Sequence, residues 1–482
     1  MSKVPSISAL TVYTANLAFA RDLFRQRLKD LPLTEIDDLF CRLTQRFVIN
    51  EYELDGDLDV FVAFETMNNR GKPLSKLELL KNRLIYLSTL APVDEDQKRS
   101  LRRNINEAWK TIYEYLGKER GRPLDDDEFL RAHWIMSFSY AREEADQFAK
   151  FLLEEHFTQT QVSDKKRTAS DIQAYVDSIQ KSVKAWHAIH FPDKAANLAD
   201  EVRRGLERCG RVGGKSFAPL IMAALHKGCA ASELAAFLAA AERFVFVVSR
   251  LCQRRSNTGD SEFYRLASQL NRGDTSLRGA TALIEERTEK HFSLDKAKLE
   301  IGELFTDGDG YYAWSGRYYF LFEYEQHLKD VAGMQAVKVN WDEFTASKKD
   351  HVTVEHVYPR TPKAGEWPSF EARSDIERHN LRHSLGNLLP LSQSRNSKFS
   401  NRSFATKKQE SDGVRGYFNG SYSEIAVAQK DDWTPKEVLE RGIEMLAFLE
   451  QRWSVSLGDR ADKVELLGLD FLETEQLAKE YF

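Results

Sequence analysis

Cysteine is scarce in this sequence and never forms a C-x-x-C pair. Scattered thiols of this kind indicate reduced structural cysteines in a cytoplasmic protein, and they exclude both a disulfide framework and a zinc site built from cysteine. The four cysteines are Cys41, Cys209, Cys229 and Cys252.

Long apolar runs and an excess of positive charge are also absent. We find no uninterrupted apolar run of about 18 residues, so no membrane span is expected. The first residues lack the basic and apolar regions of a secretory signal. Lys and Arg number 69 against 74 Asp and Glu, which gives a net charge of −5. Contact with nucleic acid would therefore need a local basic surface.

Helical patterns dominate the first 300 residues. Apolar residues recur at three- and four-residue spacing in residues 1–50 and again from about 100 to 300, which is typical of amphipathic helices. The string "SKLE" is a capping box in which Ser75 is the N-cap and Glu78 follows three residues later. It predicts a helix from Ser75 to about Leu87. We expect a predominantly helical α+β protein.

The pattern changes after Thr353. "TVEHVYP" and "LGNLLPL" are strand-like, and we expect a long polar loop between them, up to about His383. The earlier string "TDGDGYYAW", residues 306–314, lacks the later carboxylates and the closing Glu of a calcium-binding EF-hand. It is therefore predicted to be a turn.

Four residues in the C-terminal part have the chemistry needed for phosphodiester hydrolysis: Glu355, His356, Asn387 and Asn396. His356 is mostly neutral near pH 7 and can take a proton from water. Glu355 and Asn396 offer hard oxygen ligands, which favour Mg²⁺ or Mn²⁺ over zinc. Neighbouring strand residues point to opposite faces, so Glu355 can hold a metal while His356 addresses the substrate. Asn387 can fix the loop that carries His356.

This arrangement resembles the HNH, or ββα-metal, nuclease family. The matching strings are "VEHVYPRT" and "LGNLLPLSQSRN". The resemblance implies an endonuclease in which His356 is the general base, Glu355 and Asn396 bind the metal, and Asn387 is structural.

A segment without Asp or Glu follows the second strand, from Ser392 to Lys408. Its positive side chains can neutralise backbone phosphates without reading sequence, although a solvated helix face would have the same composition. They are Arg395, Lys398, Arg402, Lys407 and Lys408.

A second resemblance lies near the N-terminus. "FETMNNRGKPLSKLELLKNRL" resembles the end of the ParB-like domain of GmrSD-type modification-dependent restriction enzymes, with Asn68, Arg70 and Gly71 in its motif. These residues would belong to a sensor, or would simply form a turn before the capped helix. The D-G-Q-Q-R string associated with nucleotide use in that family is missing. Three explanations stay open: a companion protein or a second copy in a homo-oligomer supplies the missing half, nucleotide hydrolysis is lost, or the true start of the chain lies upstream.

Together these patterns predict four regions. They are a partial ParB-like domain (1–95), a helical scaffold (96–300), an HNH nuclease domain (301–456) and a tail (457–482). The predicted function is metal-dependent DNA cleavage in a bacterial anti-phage restriction system directed at modified DNA. Two alternatives stay open, a non-catalytic DNA-binding or regulatory subunit and a nuclease for structured RNA.

Overall fold

The computed structural model describes residues 11–48, 73–140, 147–345, 352–399, 401–409, 413 and 415–473. The motif residues Asn68, Arg70 and Gly71 lie outside these ranges. The chain divides into two compact units. The first extends to Gly210 and adds Lys215–Leu238 and Gly259–Ala280, and the second contains Arg211–Gly214, Ala239–Thr258 and the chain from Thr281.

Helices make up most of both units, as the sequence predicts for the fold class. Those that begin before residue 290 are α1 (Val12–Lys29), α2 (Leu33–Cys41), α3 (Lys76–Leu90), α4 (Glu95–Leu116), α5 (Asp126–Ser137), α6 (Phe148–Lys150), α7 (Gln159–Ser163), α8 (Ala169–His190), α9 (Asp200–Val212), α10 (Ala218–Lys227), α11 (Ala231–Phe244), α12 (Asp260–Arg272) and α13 (Leu277–His291).

The remaining helices are shorter on average. They are α14 (Leu294–Asp307), α15 (Gly310–Ala313), α16 (Arg317–Val331), α17 (Trp341–Thr345), α18 (Pro368–Glu371), α19 (Asp375–His383), α20 (Gln393–Phe399), α21 (Phe404–Lys408), α22 (Tyr422–Ala428), α23 (Pro435–Trp453) and α24 (Arg460–Leu466). Within the described ranges, none of the helices has the length and apolar character needed to cross a bilayer.

The capping box predicted at Ser75 is present. The Ser75 hydroxyl accepts from the Glu78 amide at 3.2 Å, and the Glu78 carboxylate accepts from the Ser75 amide at 3.0 Å. These bonds satisfy two donors at the start of α3. The helix ends at Leu90, close to the predicted Leu87.

The first unit is a bundle of helices with an apolar interior. Helix α4 packs against α8, and α10 packs against both α8 and α12. Trp109 and Ile179 lie in this core without solvent exposure. The Trp109 indole donates to the carbonyl of Leu77 at 3.2 Å and so satisfies its one polar group.

The second unit contains the two predicted strands. β1 (Val352–His356) pairs antiparallel with β2 (Leu388–Ser392), and His356 lies opposite Leu388. Pro390 lacks an amide hydrogen, but a two-stranded sheet leaves one side of each strand unpaired, so the proline is tolerated. The expectation of a polar loop between the strands was wrong in part, because this segment contains α18 and α19.

Helix α23 supports the turn that leads into β2. A side chain at Gly386 would overlap the Val438 carbonyl oxygen and lie 2.8 Å from the Gly442 nitrogen, so only glycine permits this close approach. Buried Arg441 donates to the carbonyls of Gly386 and Leu388 at 2.6 and 2.9 Å. These contacts fix the chain on both sides of Asn387.

Candidate active site

The end of β1 brings Glu355 and His356 into one cleft, although their side chains leave opposite faces of the strand. Both are almost fully buried, with 4% and 5% of their surface exposed. The cleft is lined by Tyr312, Thr353, Val354, Glu355, His356, Pro359, Arg360, Asn396, Ser397 and Asn401. Three of the four residues proposed from the sequence therefore share one cavity.

Glu355 forms an ion pair inside the protein. Its Oε1 atom accepts from the Lys407 ammonium at 2.6 Å and from the Tyr417 hydroxyl at 3.3 Å. Burial raises the pKa of the Glu355 carboxyl, and the Lys407 ammonium opposes that rise. A hydrogen bond from the main chain of His356 also opposes the rise in the pKa of Glu355.

The position of Lys407 differs from the sequence-based expectation. Lys407 has no exposed surface, and its ammonium also donates to the carbonyls of His356 and Val357, at 3.1 Å each. A lysine held this way cannot reach a phosphate, so its prediction as a nucleic-acid contact does not fit the structure. The reason is that α21 turns this side chain towards the end of β1.

The other basic residues of the segment differ in their exposure. Lys398 is exposed, and Arg402 is half-buried. The Lys408 ammonium donates to the Lys430 carbonyl at 2.6 Å and lies over two phenylalanine rings, so it too is held by the protein. The Arg395 side chain lies outside the part of the chain that the structure describes. Lys398 is the member of the set whose exposure suits a phosphate contact, and Arg402 is partly exposed.

Asn387 is completely buried and joins three segments of the chain. Its amide nitrogen donates to the carbonyls of Tyr358 and Arg382 at 3.0 and 2.8 Å. Its oxygen accepts from the Tyr358 amide at 2.8 Å and from the Trp433 indole at 3.1 Å. With this geometry Asn387 can orient the chain that follows His356, but it does not line the cleft.

Asn396 lies on the same side of the sheet as Glu355. It comes from α20, and its amide nitrogen donates to the Thr353 hydroxyl at 2.8 Å. Thr353 and Glu355 are two residues apart on β1 and so point to the same face. The Glu355 carboxylate and the amide oxygen of Asn396 are hard oxygen donors, and both residues line the cleft. This set fits Mg²⁺, which is commonly held by one or two protein oxygens together with water and substrate phosphate.

His356 lies between an aromatic ring and a second histidine. Its ring centroid is 4.6 Å from that of Tyr312, and its Nε2 atom is 3.3 Å from Nδ1 of His383. Burial lowers the pKa of His356 well below its usual value, with a further contribution from His383. The imidazole is therefore neutral at pH 7, as a proton acceptor requires.

Asp309, His379 and His383 form a group beside the cleft that sequence reasoning missed. Each offers one ligand atom, and these atoms lie within 4.8 Å of one another, so the group could hold a metal ion. A signal existed in "SDIERHNLRH", since Ser374 and Glu377 form a capping box and two histidines follow four residues apart.

Asp309 comes from "TDGDGYYAW", in the predicted turn between α14 and α15. Gly310 has a φ of +50°, and a side chain there would lie 3.0 Å from the His383 carbonyl. Glycine therefore lets the turn approach the end of α19. Burial lowers the pKa of His383 to about 4, against the opposing effect of the Asp309 carboxylate.

Comparison with known families gives this site its context. Residues 295–448 match the model of the C-terminal domain of the GmrSD restriction endonucleases. A search of curated proteins found no match to the chain. The matched range contains β1, β2 and every residue of the cleft. The C-terminal part of this chain is therefore similar to the C-terminal domain of the GmrSD restriction endonucleases.

Proposed function

We propose that this chain is a metal-dependent DNA endonuclease of the HNH type, and that it acts in an anti-phage restriction system directed at modified DNA. The observation that carries the proposal is the convergence of Glu355, His356 and Asn396 on one cleft at the end of a two-stranded sheet. Its placement within the range that matches a restriction endonuclease domain supports a nucleic-acid substrate.

His356 is the proposed general base. A buried neutral imidazole at the wall of the cleft can take a proton from a water that attacks the phosphorus atom. Asn387 is a positioning residue, because it binds the main chain that follows His356 and does not touch the cleft. The Tyr312 ring packs on the imidazole and limits its rotation.

Glu355 and Asn396 are the proposed ligands of Mg²⁺ or Mn²⁺. A bound divalent ion would neutralise charge that develops on the phosphate oxygens. Lys407 already balances one oxygen of Glu355, so the protein alone supplies little net negative charge to the ion. We therefore expect metal binding to strengthen when the substrate phosphate contributes its own oxygens.

Lys398 and Arg402 are proposed to contact the DNA backbone. Both follow the strand that borders the cleft, and contacts of this type position a duplex without specifying its sequence. The N-terminal motif with Asn68, Arg70 and Gly71 is proposed to belong to a sensor that a companion protein or a second copy completes.

Nicking of supercoiled plasmid is the direct test. We expect cleavage with Mg²⁺ or Mn²⁺ and none in EDTA, and a loss of roughly 10²–10⁴-fold in rate for His356→Ala. The control is His327→Ala, which removes a histidine outside the cleft. Equal rates for both variants would contradict the role of His356.

The same assay separates the alternatives. DNA binding without any cleavage would favour a regulatory subunit. Cleavage of structured RNA in preference to plasmid would favour an RNA nuclease. Comparison of modified with unmodified plasmid then tests the proposed restriction role.

A further inference from the structure

A group of potential ligands of a different chemical type lies beside the cleft. His379 and His383 are one turn apart on α19, and Asp309 comes from the turn before α15. We propose that these three residues bind a divalent transition metal ion of the zinc type. None of the three residues is one of the proposed oxygen ligands Glu355 and Asn396, although His383 contacts the proposed base His356 at 3.3 Å.

The distance between two of the ligands favours a shared ion over a direct contact. Nε2 of His383 lies 3.5 Å from Oδ1 of Asp309. A charge-assisted hydrogen bond between such groups is about 2.7–2.9 Å long. By contrast, two ligands bound to one tetrahedral zinc ion at about 2.0–2.2 Å are roughly 3.4 Å apart. The observed spacing therefore suits two ligands of one ion.

Two of the three ligands also have an outer partner of the kind seen around bound metals. Nε2 of His379 lies 3.1 Å from the Gly308 carbonyl, in the turn that carries Asp309. Oδ2 of Asp309 accepts from Arg360 at 3.3 Å. Such partners orient the ligand ring and the carboxylate.

The local backbone holds these positions before any ion binds. The capping box at the start of α19 fixes the helix that carries both histidines. Gly310 allows the Asp309 turn to pack closely against the end of that helix. Little conformational entropy is then lost on binding, which favours affinity.

The ligand types select the metal. Imidazole nitrogen suits zinc and related transition metals, whereas Mg²⁺ prefers oxygen. Three protein ligands leave the fourth position of a tetrahedral ion for water. The Asp309 side chain is 37% exposed, so solvent can reach the site.

Zinc binding to the full-length chain is the test. After chelator treatment and reloading with zinc alone, we expect one ion per chain by elemental analysis, and Co²⁺ in its place should give the visible absorption of a tetrahedral site. His379→Gln and Asp309→Asn should each weaken zinc binding at least about tenfold. His327→Gln is the matched control, because His327 lies on α16, outside the group.

Two results would overturn the proposal. One is wild-type protein that takes up much less than one zinc ion per chain. The other is unchanged affinity in both ligand variants, provided that circular dichroism shows them folded. Since His379 is only half-buried, its variant is expected to fold, and Asp309→Asn gives an independent answer. Asn396→Ala should keep zinc binding and lose nicking, so the zinc site and the nuclease can fail separately.

Discussion

Replacement of Lys407 by methionine should destabilise the second unit strongly. Methionine keeps most of the apolar stem but removes an ammonium that is completely buried. That ammonium makes three short contacts, with the Glu355 carboxylate at 2.6 Å and with the carbonyls of His356 and Val357 at 3.1 Å. All three acceptors would lose this donor at the end of β1.

The expected cost follows from the burial of the pair. Removal of one partner from a buried ion pair typically costs about 3–5 kcal/mol, because the other charge stays buried without compensation. In a unit of this size, 1 kcal/mol shifts the melting temperature by about 2–4 °C. The transition of the second unit should therefore fall by roughly 6–20 °C.

Differential scanning calorimetry of the full-length chain measures this shift. Lys398→Met is the matched control, since Lys398 is exposed in the same basic segment and its loss should change stability by no more than about 0.5 kcal/mol. A double variant with methionine at both 355 and 407 should recover much of the loss, because a buried pair replaced by apolar residues is often neutral.

The reasoning would be refuted if Lys407→Met melted like Lys398→Met. If Lys407→Met also lost DNA affinity, and the dependence of log affinity on log salt concentration fell by about one unit, Lys407 would contact a phosphate, as its sequence context suggests.

Three other predictions follow from the same unit. Asn387→Asp keeps the shape of the side chain but removes two donated hydrogen bonds. The free energy of unfolding should therefore fall by about 1–3 kcal/mol for each carbonyl left unsatisfied, as measured by calorimetry. Unchanged stability would contradict the proposed hydrogen-bond network. Gly386→Ala should lower the free energy of unfolding by at least about 1–3 kcal/mol, because the added methyl group would overlap α23. The control Gly302→Ala has open space around it and should be neutral or stabilising. Equal melting temperatures would contradict the close approach at Gly386. Lys398→Glu should weaken DNA binding equally across sequences, and it should lower the dependence of log affinity on log salt concentration by roughly one unit in a titration. A changed cleavage-site preference at constant affinity would argue against a phosphate contact.

Local patterns predicted the elements that depend on neighbouring residues. The capping box at Ser75 was confirmed because its two hydrogen bonds link residues three positions apart. The strands were predicted from short β-branched and apolar runs, and both are present. The capping box at Ser374 is the same kind of local signal, and it starts α19 where a loop was expected.

The sequence by itself determined that the chain is mainly helical and that its C-terminal part has the motifs of a nuclease. The tertiary structure decided which side chains meet. Lys407 pairs with Glu355 across 52 residues, and Asp309 reaches His383 from outside the strand motifs. Such contacts depend on how separate elements pack, and the free energy of burying a charge depends on the partner that packing supplies. The sequence therefore gives a positive charge at position 407, but only the fold determines that this charge lies inside the protein.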